Sequence, residues 1–248
     1  MRTRKKNWTA RELAENERII KEPQNLCGKW REYFGNVNPI QLEIGCGKGK
    51  FLAASAQAFP QINFIGIERD PTILAQAARL ARNTPGLSAY IISEAEAMSE
   101  YFAPGEIEVL YIQFCDPWPN KKKWAKRRLT HGRFLDIYYS LGINVIHFKT
   151  DNRALFDFSI QQFSEKNWLL RNISLDLHST PQDTRFITEY EAKFVDLGMP
   201  IYRLEAVKPA KGDLCERPHH QTKESDSSNA VHSEKESNNK SGYIKDFG

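Results

Sequence analysis

Four carboxylates occupy positions where a ligand could use them. Glu43 stands just before the loop GCGKG, Glu68 ends the strand begun by INFIGI, Glu94 follows LSAYII, and Asp116 follows IEVLYIQF. Each run is short and apolar, as a strand buried on both faces must be. In an open parallel sheet the carboxyl ends of neighbouring strands border one crevice, and ligands bind there. Any one of these acids alone passes for a solvated loop residue. Together they describe a site for a nucleoside ligand that is not an anion.

The glycine loop narrows the choice. Gly45, Gly47 and Gly49 are spaced G-x-G-x-G. A pyrophosphate is seated by G-x-G-x-x-G, and no lysine follows in a Walker frame. A tight turn with no ligand is the plain alternative for the loop by itself. With the acids added, S-adenosylmethionine fits: it offers ribose hydroxyls, an adenine amino group, an ammonium and a sulfonium cation. The phosphates of NAD would face like charge, which disfavours a dehydrogenase.

Asp116 opens the stretch CDPWPNKKKWAKRRLT. Lys121, Lys122, Lys123, Lys126, Arg127, Arg128 and Arg133 follow it with no acid among them. Arg2, Arg4, Lys5 and Lys6 add charge at the N-terminus, and Trp8 and Trp124 interleave aromatics. A solvated charged face is the bland reading. Beside a catalytic crevice, such a run suits the phosphates of a nucleic acid, and Asp116 would face the base that this grip delivers. Two further sets of polar groups follow. HFKTDN places Asp151 beside Asp116 on one sheet edge, and TEYE supplies Thr188, Glu189, Tyr190 and Glu191. Its T-x-x-E spacing fits a capping box equally well. Carboxylates are natural acceptors for the N1–H and N2 amino group of guanine.

The elements that must position these groups alternate. Strands are predicted at 40–44, 62–67, 87–92, 107–114, 143–149, 168–177 and 200–207, with helices over 50–59, 71–83, 133–142, 152–166 and 188–198. That order means an α/β domain over 40–207 with a mostly parallel seven-stranded sheet buried under helices on both faces. Residues 1–39 read as a basic helical extension. From 208 to 248 the chain is rich in Ser, Asn, Lys and Glu, with equal numbers of acids and bases, and is expected to be disordered. The 248 residues suffice for one sizeable core, and the net charge of +4 matters less than its placement. Four cysteines without a C-x-x-C pair and six histidines without zinc spacing point to reduced thiols and no metal. No apolar run reaches the roughly 18 residues of a membrane span, and MRTRKKNWTA lacks a signal-peptide core. A cytoplasmic location is expected, with no membrane contact; no obligate protein partner is inferred, and the oligomeric state is open.

These motifs carry a resemblance. FGNVNPIQLEIGCGKGKF, FIGIE, the DPWP and KRRLT segments, HFKTDN, DLH and TEYEAKF are similar to those of the bacterial tRNA (guanine-N7-)-methyltransferase family, from the basic N-terminus to about Val207. DPWP, KTDN and TEYE in combination are specific; the glycine loop alone is not. The resemblance implies a class I methyltransferase (Rossmann-like) fold, S-adenosylmethionine as methyl donor, and tRNA as substrate. It implies methylation of a guanosine at the forty-sixth position, in the tRNA variable loop. Carried over by motif, Glu43, Gly45, Gly47, Glu68, Glu94 and Asp116 would hold the donor, with Asp116 also catalytic. Lys121 or Lys122, Asp151, Thr188, Glu189, Tyr190 and Glu191 would contact the substrate. Two departures stand out: the segment after DPWP is one residue longer than the family's usual run, with Trp124 near a common histidine, and Glu94 replaces a frequent aspartate. Guanine N7 has an in-plane lone pair, so Asp116 is expected to orient and stabilise charge rather than remove a proton. An amino-group methyltransferase is a rival reading, but its D-P-P-W loop needs a proline where Trp118 stands. A non-catalytic RNA-binding partner is another, opposed by the full set of donor-facing acids.

Overall fold

The computed structural model of the chain describes residues 7–119, 121–179 and 187–209, without the side chains of Asn7, Lys122 and Glu189. The basic residues Arg2, Arg4, Lys5 and Lys6 and the polar tail beyond 209 lie outside the described residues. Everything described belongs to one unit, 1–214.

Eight strands form one sheet: β1 (Ile19–Ile20), β2 (Ile40–Ile44), β3 (Asn63–Glu68), β4 (Ser88–Ile92), β5 (Val109–Gln113), β6 (Val145–Thr150), β7 (Leu169–Ser174) and β8 (Tyr202–Val207). Their spatial order is β1-β4-β3-β2-β5-β6-β8-β7. The pairs from β1 to β6 are parallel, and β8 lies antiparallel between β6 and β7. The strand order reverses beside β2, which places the switch-point crevice at the carboxyl ends of β2 and β5.

The eighth strand corrects the expectation of seven and of a purely helical N-terminal extension. Ile19 and Ile20 pair with Tyr90 and Ile91. The otherwise open edge of β4 would leave backbone groups unpaired, and this short segment covers it. Arg18 fastens it, donating from Nη1 to the Gly86 carbonyl and the Ser88 hydroxyl, each at 3.0 Å. Trp8, the aromatic interleaved with the N-terminal basic residues, lies under the Arg79 guanidinium at 5.1 Å. That contact joins α1 (Asn7–Glu15) to α4 (Pro71–Arg82).

The two faces of the sheet are covered by different helices. α3 (Lys50–Ala58) and α4 bury Leu52, Ala56, Leu74, Ala77 and Ala78 against Phe64 and Tyr90. Pro71 occupies the first turn of α4, and Asp70 caps it by accepting from the N–H groups of Thr72 (2.8 Å) and Ile73 (3.2 Å). On the other face α7 (Gly132–Ser140) and α8 (Arg153–Glu165) pack Phe134, Tyr138, Phe156 and Phe163 against Leu42, Leu110, Ile112, Ile146 and Phe148. β6 alternates strictly: Ile146, Phe148 and Thr150 are buried, while His147 and Lys149 are half-buried. The polar set of that alternation meets the candidate site.

Candidate active site

The glycine loop joins β2 to α3. Gly45, Gly47 and Gly49 have φ of 72°, 55° and 72°, which L side chains rarely adopt. A Cβ on Gly49 would come within 2.7 Å of the Ala77 Cβ, so that glycine serves helix packing. A Cβ on Gly45 or Gly47 would meet nothing within 4 Å: these two face open space. The space is a cavity of about 80 Å³ whose lining includes Glu43, Gly45, Gly47, Gln113, Thr188 and Tyr190.

Glu43 is 3% exposed. Its Oε1 accepts from Gln113 Nε2 at 3.1 Å, while its Oε2 and the Gln113 Oε1 are buried with no partner. Burial pushes the carboxyl up to about 8, against the opposing pull of Gln113 and Lys149. An unsatisfied buried oxygen is costly. Glu43 also lines the cavity, where an incoming cation would favour its ionised form. Glu68 braces the loop from the next strand, accepting from the N–H of Gly47 at 3.2 Å and of Asp70 at 3.0 Å. Neither Cys46 nor Cys115 is poised as a nucleophile: burial raises both thiols, that of Cys115 to about 12.

Asp116 and Glu94 are both exposed and line neither cavity described here. Asp116 pairs with Arg69, Oδ2 to Nη2 at 3.0 Å, across the ends of β3 and β5. Phe114, at φ 50°, turns the chain as it leaves β5 and stacks on Phe194. Asp151 is half-buried after β6, and Asn152 rather than Asp151 caps α8, accepting from the Leu155 N–H at 2.8 Å.

TEYE serves both readings. Thr188 caps α9 (Glu189–Asp196), its hydroxyl accepting from the Glu191 N–H at 3.0 Å. The reciprocal half of a capping box is missing, because the Glu191 carboxylate turns inward. It is 1% exposed, and it accepts from Lys149 Nζ and meets His178 Nε2, each at 3.0 Å. Glu191 therefore lines a second cavity of about 220 Å³, together with Tyr111, Gln113, His147, Lys149 and Arg203. The structure thus gathers Glu43, Gly45, Gly47, Thr188 and Tyr190 around one space and sets Glu191 on the next.

Gln113, Lys149, His178 and Arg69 were not singled out as site residues. Gln113 is the sole amide in the apolar run IEVLYIQF, and Lys149 sits at an alternate position of INVIHFK. Polar residues at such strand positions were the available signal. Register places them side by side, Gln113 opposite Lys149.

The basic stretch is not one surface. Lys121, Lys123, Lys126 and Arg127 are exposed. Arg133 pairs with Glu96 and donates to the Lys126 carbonyl at 2.6 Å. Arg128 is buried, which corrects its assignment to the phosphate-gripping run. Its Nε donates to the Pro117 carbonyl and its Nη2 to the Trp118 carbonyl, both at 2.8 Å, and its guanidinium lies over Phe158 at 4.4 Å. This fork holds the DPWP loop, and only a guanidinium offers it in that geometry. Arg128→Lys is expected to cost about 2–3 kcal/mol of stability, read as a lower denaturant midpoint. An unchanged midpoint would mean that the loop holds itself.

A sheet of this order, a glycine turn at its switch point and a buried acid beside it define a class I methyltransferase. Solved structures agree at the level of fold. They include the 16S rRNA methyltransferase KamB (TM-score 0.54, 13% identity, covering 73% of this chain and 94% of that one). They also include a 16S rRNA (adenine-N1)-methyltransferase from Catenulisporales acidiphilia (TM-score 0.51, 16% identity, 75% and 92%). A family model described as "Putative methyltransferase" matches residues 37–204. The tRNA (guanine-N(7)-)-methyltransferase of Listeria welshimeri is 47% identical over 211 residues, 83% of this chain and 98% of that protein. That of Bacillus subtilis is 44% identical over 209 residues, with the same coverage. The chain belongs to the tRNA (guanine-N(7)-)-methyltransferase family. Among the described residues no cluster of His, Cys, Asp or Glu could hold a metal, and no helix is long and apolar enough to cross a membrane.

Proposed function

We propose that the protein transfers a methyl group from S-adenosyl-L-methionine to N7 of the guanosine at position forty-six, in the variable loop of tRNA, and that it works in the cytoplasm. The observation that carries this reading is the cavity at the glycine turn, lined by Gly45, Gly47 and Glu43, whose Oε2 is buried with no partner. The residues present fit the methyl donor. Glu43 would receive its cationic end, Gly45 and Gly47 would allow close approach, and Glu68, Glu94 and Asp116 would complete the set of acids along the strand ends. The donor supplies the methyl group as part of a sulfonium cation.

The remaining chemistry belongs to the chain. Guanine N7 already has a lone pair in the ring plane, so no residue needs to take a proton from it. Asp116 orients the base and stabilises the positive charge that develops on the ring. Lys121 or Lys122, with Asp151 and Thr188 to Glu191, holds the nucleotide so that the lone pair points at the methyl carbon.

Methyl transfer from labelled donor to bulk unmodified tRNA, followed by nucleoside digestion and mass spectrometry, tests the reading. N7-methylguanosine mapping to position forty-six is expected; a methylated adenosine or an amino-group product would overturn it. The exposed lysines carry a separate expectation. Replacing Lys121, Lys123 and Lys126 with Gln should weaken tRNA binding and leave donor affinity unchanged. The slope of log affinity against log salt should flatten by about 0.7–0.9 per lost phosphate contact. An unchanged slope would make these lysines a solvated face.

A further inference from the structure

The loop after Asp116 also builds an aromatic surface. Trp118 and Trp124 stack with ring centroids 5.3 Å apart and planes 10° from parallel. The Arg127 guanidinium lies 4.9 Å from the first ring and 5.0 Å from the second. Both indoles are half-buried, Arg127 is exposed, and neither indole belongs to a hydrophobic core cluster of the domain.

The backbone beneath the stack is constrained. Trp118 sits at φ 41°, a conformation that bulky side chains adopt only when the surroundings impose it. Those surroundings are Pro117 and Pro119 on either side and the buried Arg128 fork on two successive carbonyls. One Arg128 nitrogen, Nη1, is left buried without a partner. A buried cation is a costly fixture, and this one is used to present Trp118 near the surface. Lys121, Lys123 and Lys126, within a few residues of the indoles in the chain, are exposed.

Parallel aromatic rings with a guanidinium alongside, and exposed lysines close by in the chain, match the chemistry of single-stranded nucleic acid: bases stack on the rings while the phosphates meet the cations. Trp118 follows Asp116 by two residues, no more than about 7 Å of chain, the scale of one nucleotide. We infer that the Trp118–Trp124–Arg127 stack is a platform for the unpaired base next to the methylated guanosine. The inference rests on the RNA-methylating reading above. It adds a base-stacking subsite to the donor and guanosine sites.

The test uses the full chain, an unmodified tRNA transcript, and two transcripts made abasic at the nucleotide 5′ or 3′ of the target guanosine. Trp124→Ala should weaken binding of the intact transcript about tenfold or more and leave donor affinity unchanged. Trp124→Phe, which keeps a ring, should retain most of the affinity. On one of the abasic transcripts wild type and Trp124→Ala should bind alike, since the base that separates them is gone. Should Trp124→Ala lose donor binding, the exposed Arg127→Gln takes its place in the same cycle. Wild type that methylates no tRNA would sink the proposed function itself. Wild type that methylates tRNA would sink only the platform if Trp124→Ala binds the intact transcript normally, or if its loss persists undiminished on both abasic transcripts.

Discussion

Asp116→Asn should lower the saturated rate of methyl transfer by about 10²-fold or more, with tRNA affinity changed only a few-fold. Asn keeps the size of the side chain and one acceptor oxygen. The loop should stay folded, because it is held by Arg128 on the carbonyls of Pro117 and Trp118 rather than by the Asp116 carboxylate. The pair that Asp116 does make, with Arg69, is 63% exposed on the acid and 51% on the base. Exposed pairs stabilise little, so its loss should barely move the melting temperature. On the proposed reading, Asn removes the negative charge that would stabilise the guanine ring as it turns cationic. Docked RNA would cover the carboxylate and exclude water, which strengthens its electrostatic effect. Single-turnover methylation at saturating donor, beside direct titration of the donor, separates the possibilities. A reduced donor affinity with a wild-type saturated rate would reduce Asp116 to a binding residue.

Glu43→Gln has the second large effect, and its signature is pH. The folded carboxyl titrates near 8, whereas an unperturbed one titrates near 4.5. Between those values the folded protein keeps a proton that the unfolded chain has released. Stability of the donor-free protein therefore falls as pH rises through that window. Gln has no charge to bury, so at pH 9 the variant should be more stable than wild type, on the order of 4 kcal/mol; below about pH 4.5 the two should converge. Donor binding should run the other way. An incoming cation favours the ionised carboxylate, so wild-type affinity should rise with pH up to about 8 and then level, with release of a proton. Glu43→Gln should bind about 10- to 100-fold more weakly at pH 8, with no such slope. Calorimetry in buffers of different ionisation enthalpy reads the proton directly. A pH-independent wild-type affinity would show that Glu43 does not receive the cation.

Much of this site was legible because its signals are local. The alternation of strand and helix, Pro71 after Asp70, the threonine cap at 188 and the glycines with positive φ are each decided within a few residues. Parallel strands then follow from their spacing, and parallel strands bring their carboxyl ends to one edge. The strand ends that carry acids could be read that way with no coordinates; that Glu94 and Asp116 line neither cavity could not. The N-terminal edge strand could not, since two isoleucines carry no usable period and pair only because β4 offers an open edge.

The amino-acid sequence alone thus determined the fold class, the strands that end at the crevice, and which carboxylates reach that edge. The tertiary structure alone decided what each charge does there. Arg128 and its neighbours look alike in KKKWAKRR, yet Arg128 turns inward to hold the DPWP loop while Arg127 lies against the indoles. Glu191 looked like a capping or substrate acid, yet it meets Lys149 from 42 residues away, and Asp116 meets Arg69 from 47. Periodicity and caps are properties of neighbouring residues. The partner of a charge is set by strand register and by the packing of distant segments, and burial then determines whether that charge is kept, shared or neutralised.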